Sequence, residues 1–364
     1  MYSTTASTNS LKAGKANERF KIVHISDIHL PRTSTQEDNI CLRNLREAIQ
    51  FANLNDSKIN AIVATGDYIS NNEKTNRQTT MENLNLFKSI FFDSSNTIPG
   101  FLCTGNHDTN MLTLDSTFYL SKEDIHQCLF SSPNYSYEQT GVENYYYADV
   151  KEPNGNIIRF IVLDNTDQEG FLYNTQQISC ITQKQVDWLI RTALRKDMTE
   201  KHSIIILTHH PLQEYSKNQE TYMCGGTHLY KASLIPSIID AFQQRKSISQ
   251  TYKSTIYPTS TIQINGDFTQ AKGEFICYLG GHAHTYGNFN VGLEGGFKQM
   301  MLLANTLSPS SQNNNYGYID RDVDRNKYNS FSIYSIDTKE KKIYITYFGA
   351  TKTDAENISS ISYR

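Results

Sequence analysis

The sequence predicts an α/β fold in which two packed β-sheets lie between helices. Short runs rich in Val, Ile, Leu and Phe, such as residues 20–26 and 61–65, have the length and composition of buried strands. Between these two runs, apolar side chains recur at helical spacing from Cys41 to Ala52. Strands that alternate with helices in this way are typical of α/β domains.

The later elements follow the same alternation. A helical pattern covers residues 81–92, and Thr182 and Gln185 have the spacing of a capping box that begins a helix reaching Leu194. Further strand-like runs are residues 101–104, 157–163, 203–207, 275–279, 299–304, 331–336 and 343–348. This number and order of elements fits two sheets flanked by helices.

Length and composition indicate one large globular domain. A chain of 364 residues with 38% hydrophobic and 20% charged residues can bury a sizeable core and is not typical of a disordered protein. We predict a flexible polar segment at residues 1–19, a domain over residues 20–350 and a tail at residues 351–364. The interval 212–272 is long and rich in Gln, Ser, Tyr and Lys, which favours an insertion or cap beside the functional site.

The net charge and the cysteines restrict the class of partner and the compartment. A net charge of -3 gives no basic field for nucleic acid. The six cysteines lack CxxC spacing, so we expect mostly buried thiols and a reducing compartment. Residues 1–19 lack the apolar stretch of a signal peptide, and no later stretch reaches membrane-spanning length. We therefore expect a cytoplasmic protein with no membrane partner, and its oligomeric state is left open.

Five short blocks of polar residues follow strand-like runs. Strands deliver the side chains at their ends to one edge of a sheet, so these blocks would bring carboxylate, amide and imidazole groups together. Such a set of ligands is what a hydrolytic site with two metal ions needs. The blocks are Asp27-Ile28-His29, Gly66-Asp67, Gly105-Asn106-His107-Asp108, Thr208-His209-His210-Pro211 and Gly281-His282-Ala283-His284. A second Gly-Asp pair, Gly266-Asp267, is interpreted as a chance repeat.

In type and order, the five blocks resemble the motif set of the calcineurin-like metallophosphoesterase superfamily. The resemblance implies a four-layer αββα sandwich of two mixed sheets, and hydrolysis of phosphate esters by in-line attack of a hydroxide that bridges two metal ions. The mixed ligand set suits Mn, Fe, Zn or Ni. The metal ligands that the resemblance implies are Asp27, His29, Asp67, Asn106, His209, His282 and His284.

The resemblance also distributes these ligands between the two ions. Asp67 would bridge both ions. The first ion would also take Asp27, His29 and His284, and the second would also take Asn106, His209 and His282.

Three neighbouring residues are predicted to assist. We expect His107 to protonate the leaving group, and Asp108 to orient the His107 imidazole through a hydrogen bond. His210 is predicted to orient a neighbouring ligand rather than to bind metal. Tyr68 and residues 145–147 are alternatives as aromatic residues that line a substrate pocket.

Ser70 distinguishes this chain from one subfamily. Purple acid phosphatases have a motif set that resembles the one in this chain. They carry a metal-ligating Tyr three residues after the bridging Asp, whereas this chain has Ser70 at that position. We therefore expect the iron-loaded protein to lack a strong tyrosinate absorption band.

These observations predict a metallophosphoesterase that acts on a small phosphodiester. A phosphomonoesterase is the first alternative, because the motifs do not choose between the two esters. Loops at residues 109–145 and 212–272 are expected to set the substrate. A non-catalytic binding or structural module in a larger assembly is the second alternative. A missing ligand would mark such a module, and all seven ligands are present.

Overall fold

A computed structural model describes eleven stretches of the chain. They are residues 19–30, 36–70, 76–110, 116–139, 141–167, 178–213, 227–254, 256–257, 259–307, 329–349 and 358–364. The predicted polar segment at residues 1–19 lies outside them except for its last residue.

The described residues form seventeen strands and five α-helices. The strands are β1 (Phe20–Ile25), β2 (Ala61–Ala64), β3 (Gly100–Leu102), β4 (Glu138–Gln139), β5 (Tyr146–Lys151), β6 (Ile157–Val162), β7 (Ile178–Ser179), β8 (His202–Leu207), β9 (Thr227–His228), β10 (Ser247–Lys253), β11 (Thr261–Asp267), β12 (Glu274–Gly280), β13 (Gly287–Asn290), β14 (Met300–Leu303), β15 (Ser330–Asp337), β16 (Lys342–Gly349) and β17 (Ile358–Ser362). The helices are α1 (Gln36–Ala52), α2 (Arg77–Phe91), α3 (Lys122–Ile125), α4 (Gln183–Trp188) and α5 (Leu234–Gln243). Both α3 and α4 continue as π-helical turns, through His126–Phe130 and Leu189–Ala193.

Two mixed sheets form the centre of the fold. The first sheet has the strand order β17-β16-β15-β1-β2-β3, and the second has the order β13-β14-β12-β8-β6-β5-β4. In the first sheet, β1, β2 and β3 are parallel. In the second sheet, β6, β8, β12 and β14 are parallel. Parallel strands end at the same edge, so each sheet presents several strand ends together.

The two sheets pack face to face over an apolar core, with helices outside. Phe101 of β3 stacks on Phe160 of β6, with 4.5 Å between ring centroids. Leu45 of α1 and Leu84 of α2 are buried in the same core as these rings. On the far side of the second sheet, Ile238 of α5 is buried in a second core together with α4 residues. The predicted α/β sandwich with helices on both sides is confirmed.

One of the two hydrogen bonds of the predicted capping box at α4 is formed. The Thr182 side chain accepts a hydrogen bond from the Gln185 N–H, as predicted. The Gln185 side chain, however, does not return to the cap. It accepts from the Asp164 N–H at 2.9 Å and donates to the Asp164 carbonyl at 3.0 Å. Gln185 is fully buried, and these bonds satisfy its amide next to the end of β6.

The two segments with the weakest sequence signals contain regular structure. In the interval 212–272, the described residues form β9, helix α5 and the β10–β11 hairpin, and α5 is buried against the second sheet. Within the predicted tail at residues 351–364, residues 358–362 form the edge strand β17 beside β16. Tyr363 is fully buried and anchors this end of the chain.

Two expectations from composition can be compared with the described residues. Five of the six cysteines are described, all as buried free thiols, and Cys224 lies outside the described residues. Among the helices in the described part of the chain, none combines the length and the apolar character that crossing a bilayer requires.

Candidate metal centre

The predicted ligands meet where strand ends of the two sheets face each other. Asp27 follows β1, Asp67 follows β2 and Asn106 follows β3, all in the first sheet. His209 follows β8 and His282 follows β12, both in the second sheet. All the strands concerned run parallel within their sheets, so the five blocks reach one edge of the sandwich.

The first group of side chains consists of Asp27, His29, Asp67 and His284, whose ligand atoms all lie within 4.8 Å of one another; we call it cluster 1. The Nε2 atoms of His29 and His284 are 3.0 Å apart. The Nε2 atom of His284 lies 3.2 Å from Oδ1 of Asp27. Three of its four side chains are buried.

The second group consists of Asp67, His209 and His282, whose ligand atoms also lie within 4.8 Å of one another; we call it cluster 2. Nε2 of His209 lies 3.3 Å from Oδ2 of Asp67. Oδ1 of Asn106 lies 2.9 Å from Nε2 of His209 and 3.0 Å from Nδ1 of His282. Asn106 therefore joins cluster 2, and Asp67 is common to both clusters.

The donor chemistry and spacing of both clusters fit metal ions. Ligands about 2.0–2.2 Å from one ion lie roughly 3 Å from one another. The nitrogen–nitrogen and nitrogen–oxygen distances of 2.9–3.3 Å within each cluster match that separation. Each cluster combines imidazole with carboxylate, and cluster 2 adds the Asn106 amide oxygen. This combination suits first-row transition metals.

Five of the seven predicted ligands have a left-handed backbone. The φ angles are 52° at Asp27, 48° at His29, 54° at Asp67, 68° at His282 and 53° at His284. Such angles are uncommon outside glycine, and they persist where the surrounding structure enforces them. Asp27 and His29, like His282 and His284, are two residues apart, and the left-handed backbone belongs to the turns that follow the strands and carry these side chains to the clusters.

Hydrogen bonds between the loops enforce this backbone. The Asp27 N–H donates to the Gly66 carbonyl at 3.1 Å, and the His29 N–H donates to the Asp67 carbonyl at 3.0 Å. The His282 N–H donates to the Asp27 carboxylate, at 3.1 and 3.0 Å from its two oxygens. The ligand loops of the two sheets therefore hold one another.

A backbone carbonyl sets the orientation of His209. Nδ1 of His209 lies 2.6 Å from the carbonyl oxygen of Thr65, so this nitrogen donates and Nε2 is left to face Asp67 and Asn106. A partner of this kind on the far nitrogen is typical of metal-binding histidines. Sequence reasoning missed Thr65, because every residue type offers a carbonyl and no side-chain pattern marks this one.

Burial and neighbouring charges set the protonation of the ligands. Burial and the nearby imidazoles of His107 and His284 lower the pKa of His29 to about 3, and burial and His209 lower that of His282 to about 3. Burial also opposes a charged His209, but the Asp67 carboxylate outweighs it and raises the His209 pKa to about 9. Although burial works against an ionised Asp67, the imidazoles around it lower its pKa. His29, His282 and Asp67 are therefore in the deprotonated form that binds metal.

His107 lies over the shared carboxylate. Its backbone N–H donates to Oδ1 of Asp67 at 2.9 Å, and its Nε2 is 3.9 Å from Oδ2. Its ring packs edge-on against His29, with 4.8 Å between centroids. The side chain is 22% exposed, so it can meet a substrate that arrives from solvent.

In the structure, the Asp108 carboxylate binds backbone N–H groups of two neighbouring loops. Its carboxylate accepts three backbone N–H groups, from Gly105 at 2.8 Å, Asp67 at 3.0 Å and Tyr68 at 2.8 Å. These bonds use both oxygens and connect the loop after β3 to the loop after β2. Asp108 thus holds the backbone of the shared ligand, and orientation of the His107 ring by Asp108 stays a prediction.

Of the other residues that the sequence singled out, some lie beside the clusters and the rest lie elsewhere in the fold. His210 is fully buried, and its ring packs beside His282 with 4.5 Å between centroids. Tyr68 is fully buried and stacks on Phe87 at 4.0 Å, and residues 145–147 are buried as well. These tyrosines are therefore packing residues. Asp267 lies at the end of the β10–β11 hairpin and belongs to neither cluster.

Comparison with known proteins agrees with this geometry. The family model described as calcineurin-like phosphoesterase matches residues 20–286, which is most of the chain. A purple acid phosphatase, PPD1 from seeds of yellow lupin (Lupinus luteus), has a similar structure, with a TM-score of 0.53 and 13% sequence identity. The alignment covers 94% of this chain and 54% of the lupin chain, so this protein spans about half the length of that phosphatase. No curated protein matches the sequence significantly.

Proposed function

We propose that this chain, which belongs to the calcineurin-like phosphoesterase family, is a phosphodiesterase with a centre of two metal ions. As a member of that family it is a metal-dependent hydrolase of phosphate esters. The preference for diesters, the assignment of the ligands and the role of His107 are parts of the proposal.

The membership of Asp67 in both clusters is the observation that carries the proposal. A carboxylate shared by two ligand groups is suited to hold two ions side by side. When bound, two such ions lower the pKa of a coordinated water and offset the charge that develops on phosphoryl oxygens. Cluster 1 would hold one ion, and cluster 2 with Asn106 would hold the other.

His107 is proposed as the acid that protonates the leaving oxygen. Its side chain is partly exposed, and its Nε2 lies 3.9 Å from Oδ2 of the shared Asp67 carboxylate. The Asp67 carboxylate accepts the His107 backbone N–H, which fixes the His107 backbone beside both clusters. General acid assistance of this kind contributes about 10² to 10⁴ in rate.

The charge of the site supports a diester as substrate. After burial, the strongest influences on the pKa of Asp27 are His284, His209 and the Asp67 carboxyl, and those on the pKa of Asp67 are the imidazoles of His209, His107 and His29. No lysine or arginine of the described chain is among these influences. A phosphodiester carries one negative charge near pH 7, whereas a monoester approaches two. The smaller charge requires less additional positive charge from the protein.

The test loads the protein with Mn²⁺ and compares two chromogenic esters. We expect about two metal ions per chain and faster turnover of bis-p-nitrophenyl phosphate than of p-nitrophenyl phosphate. The opposite preference would replace the diesterase with the phosphomonoesterase. Two bound ions with no turnover of either ester would indicate a narrow natural substrate, and absence of metal binding would favour the non-catalytic module.

The sequence supplies a matched control for this test. Gly66-Asp67 and Gly266-Asp267 are the same dipeptide, but only the first lies in the clusters. Asp267→Ala should retain metal and activity, whereas Asp67→Ala should lose both. Equal loss in the two variants would contradict the placement of the site.

A further inference from the structure

Asn165 lies behind cluster 2 and was not marked by any motif. It follows β6 and is 3% exposed. Its Oδ1 accepts the His209 N–H at 3.0 Å and also the Thr208 hydroxyl. The side-chain amide therefore holds the peptide that carries a cluster 2 histidine.

Asn165 is itself fixed by the short β7–β9 pair. Its Nδ2 donates to the Ser179 hydroxyl at 3.2 Å, and its carbonyl accepts the Cys180 N–H at 2.6 Å. Ser179 pairs with His228 in β9, and Nε2 of His228 lies 3.0 Å from the Pro211 carbonyl. These contacts close a ring around residues 208–211, so the amide of Asn165 cannot turn without breaking several bonds.

Thr306 occupies the corresponding position behind cluster 1. Its hydroxyl donates to the backbone carbonyl of Asp27 at 2.7 Å, and the bond is buried. Thr306 also pairs with Ser26 in an isolated bridge. Because Asp27 has a φ of 52°, its orientation depends on bonds of this kind.

We propose that Asn165 and Thr306 are positioning residues, each for one metal position: Asn165 for cluster 2 through His209, and Thr306 for cluster 1 through Asp27. This inference rests on the proposed two-metal centre. Of the ligand loops, the Asn165 side chain bonds that of His209 and the Thr306 hydroxyl bonds that of Asp27, so each metal position has its own supporting residue. Loss of an outer contact of this kind typically lowers metal affinity about 10- to 100-fold.

The experiment titrates the metal-free protein with Mn²⁺ by calorimetry and resolves the two binding steps. His209→Ala and His284→Ala identify which step belongs to cluster 2 and which to cluster 1. Asn165→Ala should weaken the step that His209→Ala removes about 10- to 100-fold and leave the other step unchanged. Thr306→Val should weaken only the step that His284→Ala removes.

Conservative variants separate positioning from general damage to the fold. Asn165→Asp keeps an oxygen that can accept from His209 and Thr208, and Thr306→Ser keeps the hydroxyl. Both should bind Mn²⁺ with nearly the wild-type affinity at each step. If Asn165→Ala does not fold, Asn165→Ser carries the test, because its shorter side chain cannot reach the His209 N–H.

The outcomes distinguish this inference from the proposed function. Wild-type protein that binds fewer than two Mn²⁺ ions would overturn the two-metal centre and the assignment with it. Two ions in the wild type, with both steps weakened equally or neither weakened in Asn165→Ala, would overturn the assignment and leave the proposed function standing.

Discussion

The backbone N–H of Asp67 donates a 3.0 Å hydrogen bond to Oδ2 of Asp108. The same oxygen accepts the Gly105 N–H at 2.8 Å. Asp108, which follows His107, is therefore tied to the residue whose carboxylate both clusters share. This bond joins the loops after β2 and β3, and it makes the position of Asp67 depend on Asp108.

Substitution of Asp108 should accordingly affect metal binding. In Asp108→Asn, one oxygen is replaced by an NH₂ group that faces backbone N–H donors, and a buried donor without an acceptor costs about 1–3 kcal/mol. We expect weaker binding of both ions, measured by metal content after dialysis. Unchanged metal content with a reduced kcat would instead support orientation of the His107 ring by Asp108.

Substitutions of Asp67 and of His107 should separate the loss of metal binding from the loss of proton transfer. Asp67→Ala removes the shared ligand and should lose metal and activity together. His107→Ala should keep about two ions and lower kcat by about 10² to 10⁴, because only the proposed acid is gone. Metal analysis and steady-state kinetics on the same preparations provide the measurement. Comparable metal loss in both variants would contradict the distinction between ligand and acid.

Gly105 is required by the close approach of the Asp67 loop. A Cβ at this position would collide with the backbone nitrogen and Oδ1 of Asp67. Gly105→Ala should displace the shared ligand, lower metal content and destabilise the protein by about 1–3 kcal/mol, as overpacked cores do. Gly155→Ala is the control for metal content: its φ of 86° makes the substitution strained, but a Cβ there meets open space, so the variant should keep its metal.

The sequence predicted which side chains come together better than it predicted the residues that hold them. Asp27, His29 and the other predicted ligands occupy contiguous motifs at strand ends, where residue type and order carry the signal. Thr65 acts through a carbonyl, and Asn165 reaches His209 across 44 positions of sequence. Neither contact leaves a local pattern. The edge strand β17 was missed for a related reason, because its pairing with β16 depends on the completed sheet.

Iron-loaded protein should lack a strong visible band. Ser70 stands three residues after Asp67, and the nearest tyrosine in sequence, Tyr68, faces the core. Its hydroxyl donates to the carbonyls of Ala64 at 2.9 Å and Cys103 at 2.6 Å, and burial raises its pKa. The phenol therefore stays protonated and away from the clusters. Absorption spectra of the Fe-loaded wild type and Tyr68→Phe should be the same; a strong band that disappears in Tyr68→Phe would contradict this.

Stability of the metal-free protein should fall as pH decreases, in part because of His24. Nε2 of His24 lies 2.9 Å from the Thr65 hydroxyl within the first sheet, and burial lowers its pKa from 6.5 to about 3. Between these values the unfolded state binds one more proton than the folded state, so the free energy of unfolding rises with pH through this window. One such group contributes at most about 1.4 kcal/mol per pH unit.

His24→Gln removes this titration and keeps a polar side chain toward Thr65. Urea unfolding in chelator between pH 4 and 6 should show a slope of unfolding free energy against pH that is smaller than the wild-type slope by about 1 kcal/mol per unit. The other buried imidazoles titrate in both proteins, so the difference between the slopes isolates His24. Above pH 7 the two curves should run parallel, because His24 is neutral in both states there. Equal slopes below pH 6 would show that the folded protein tolerates a charged His24.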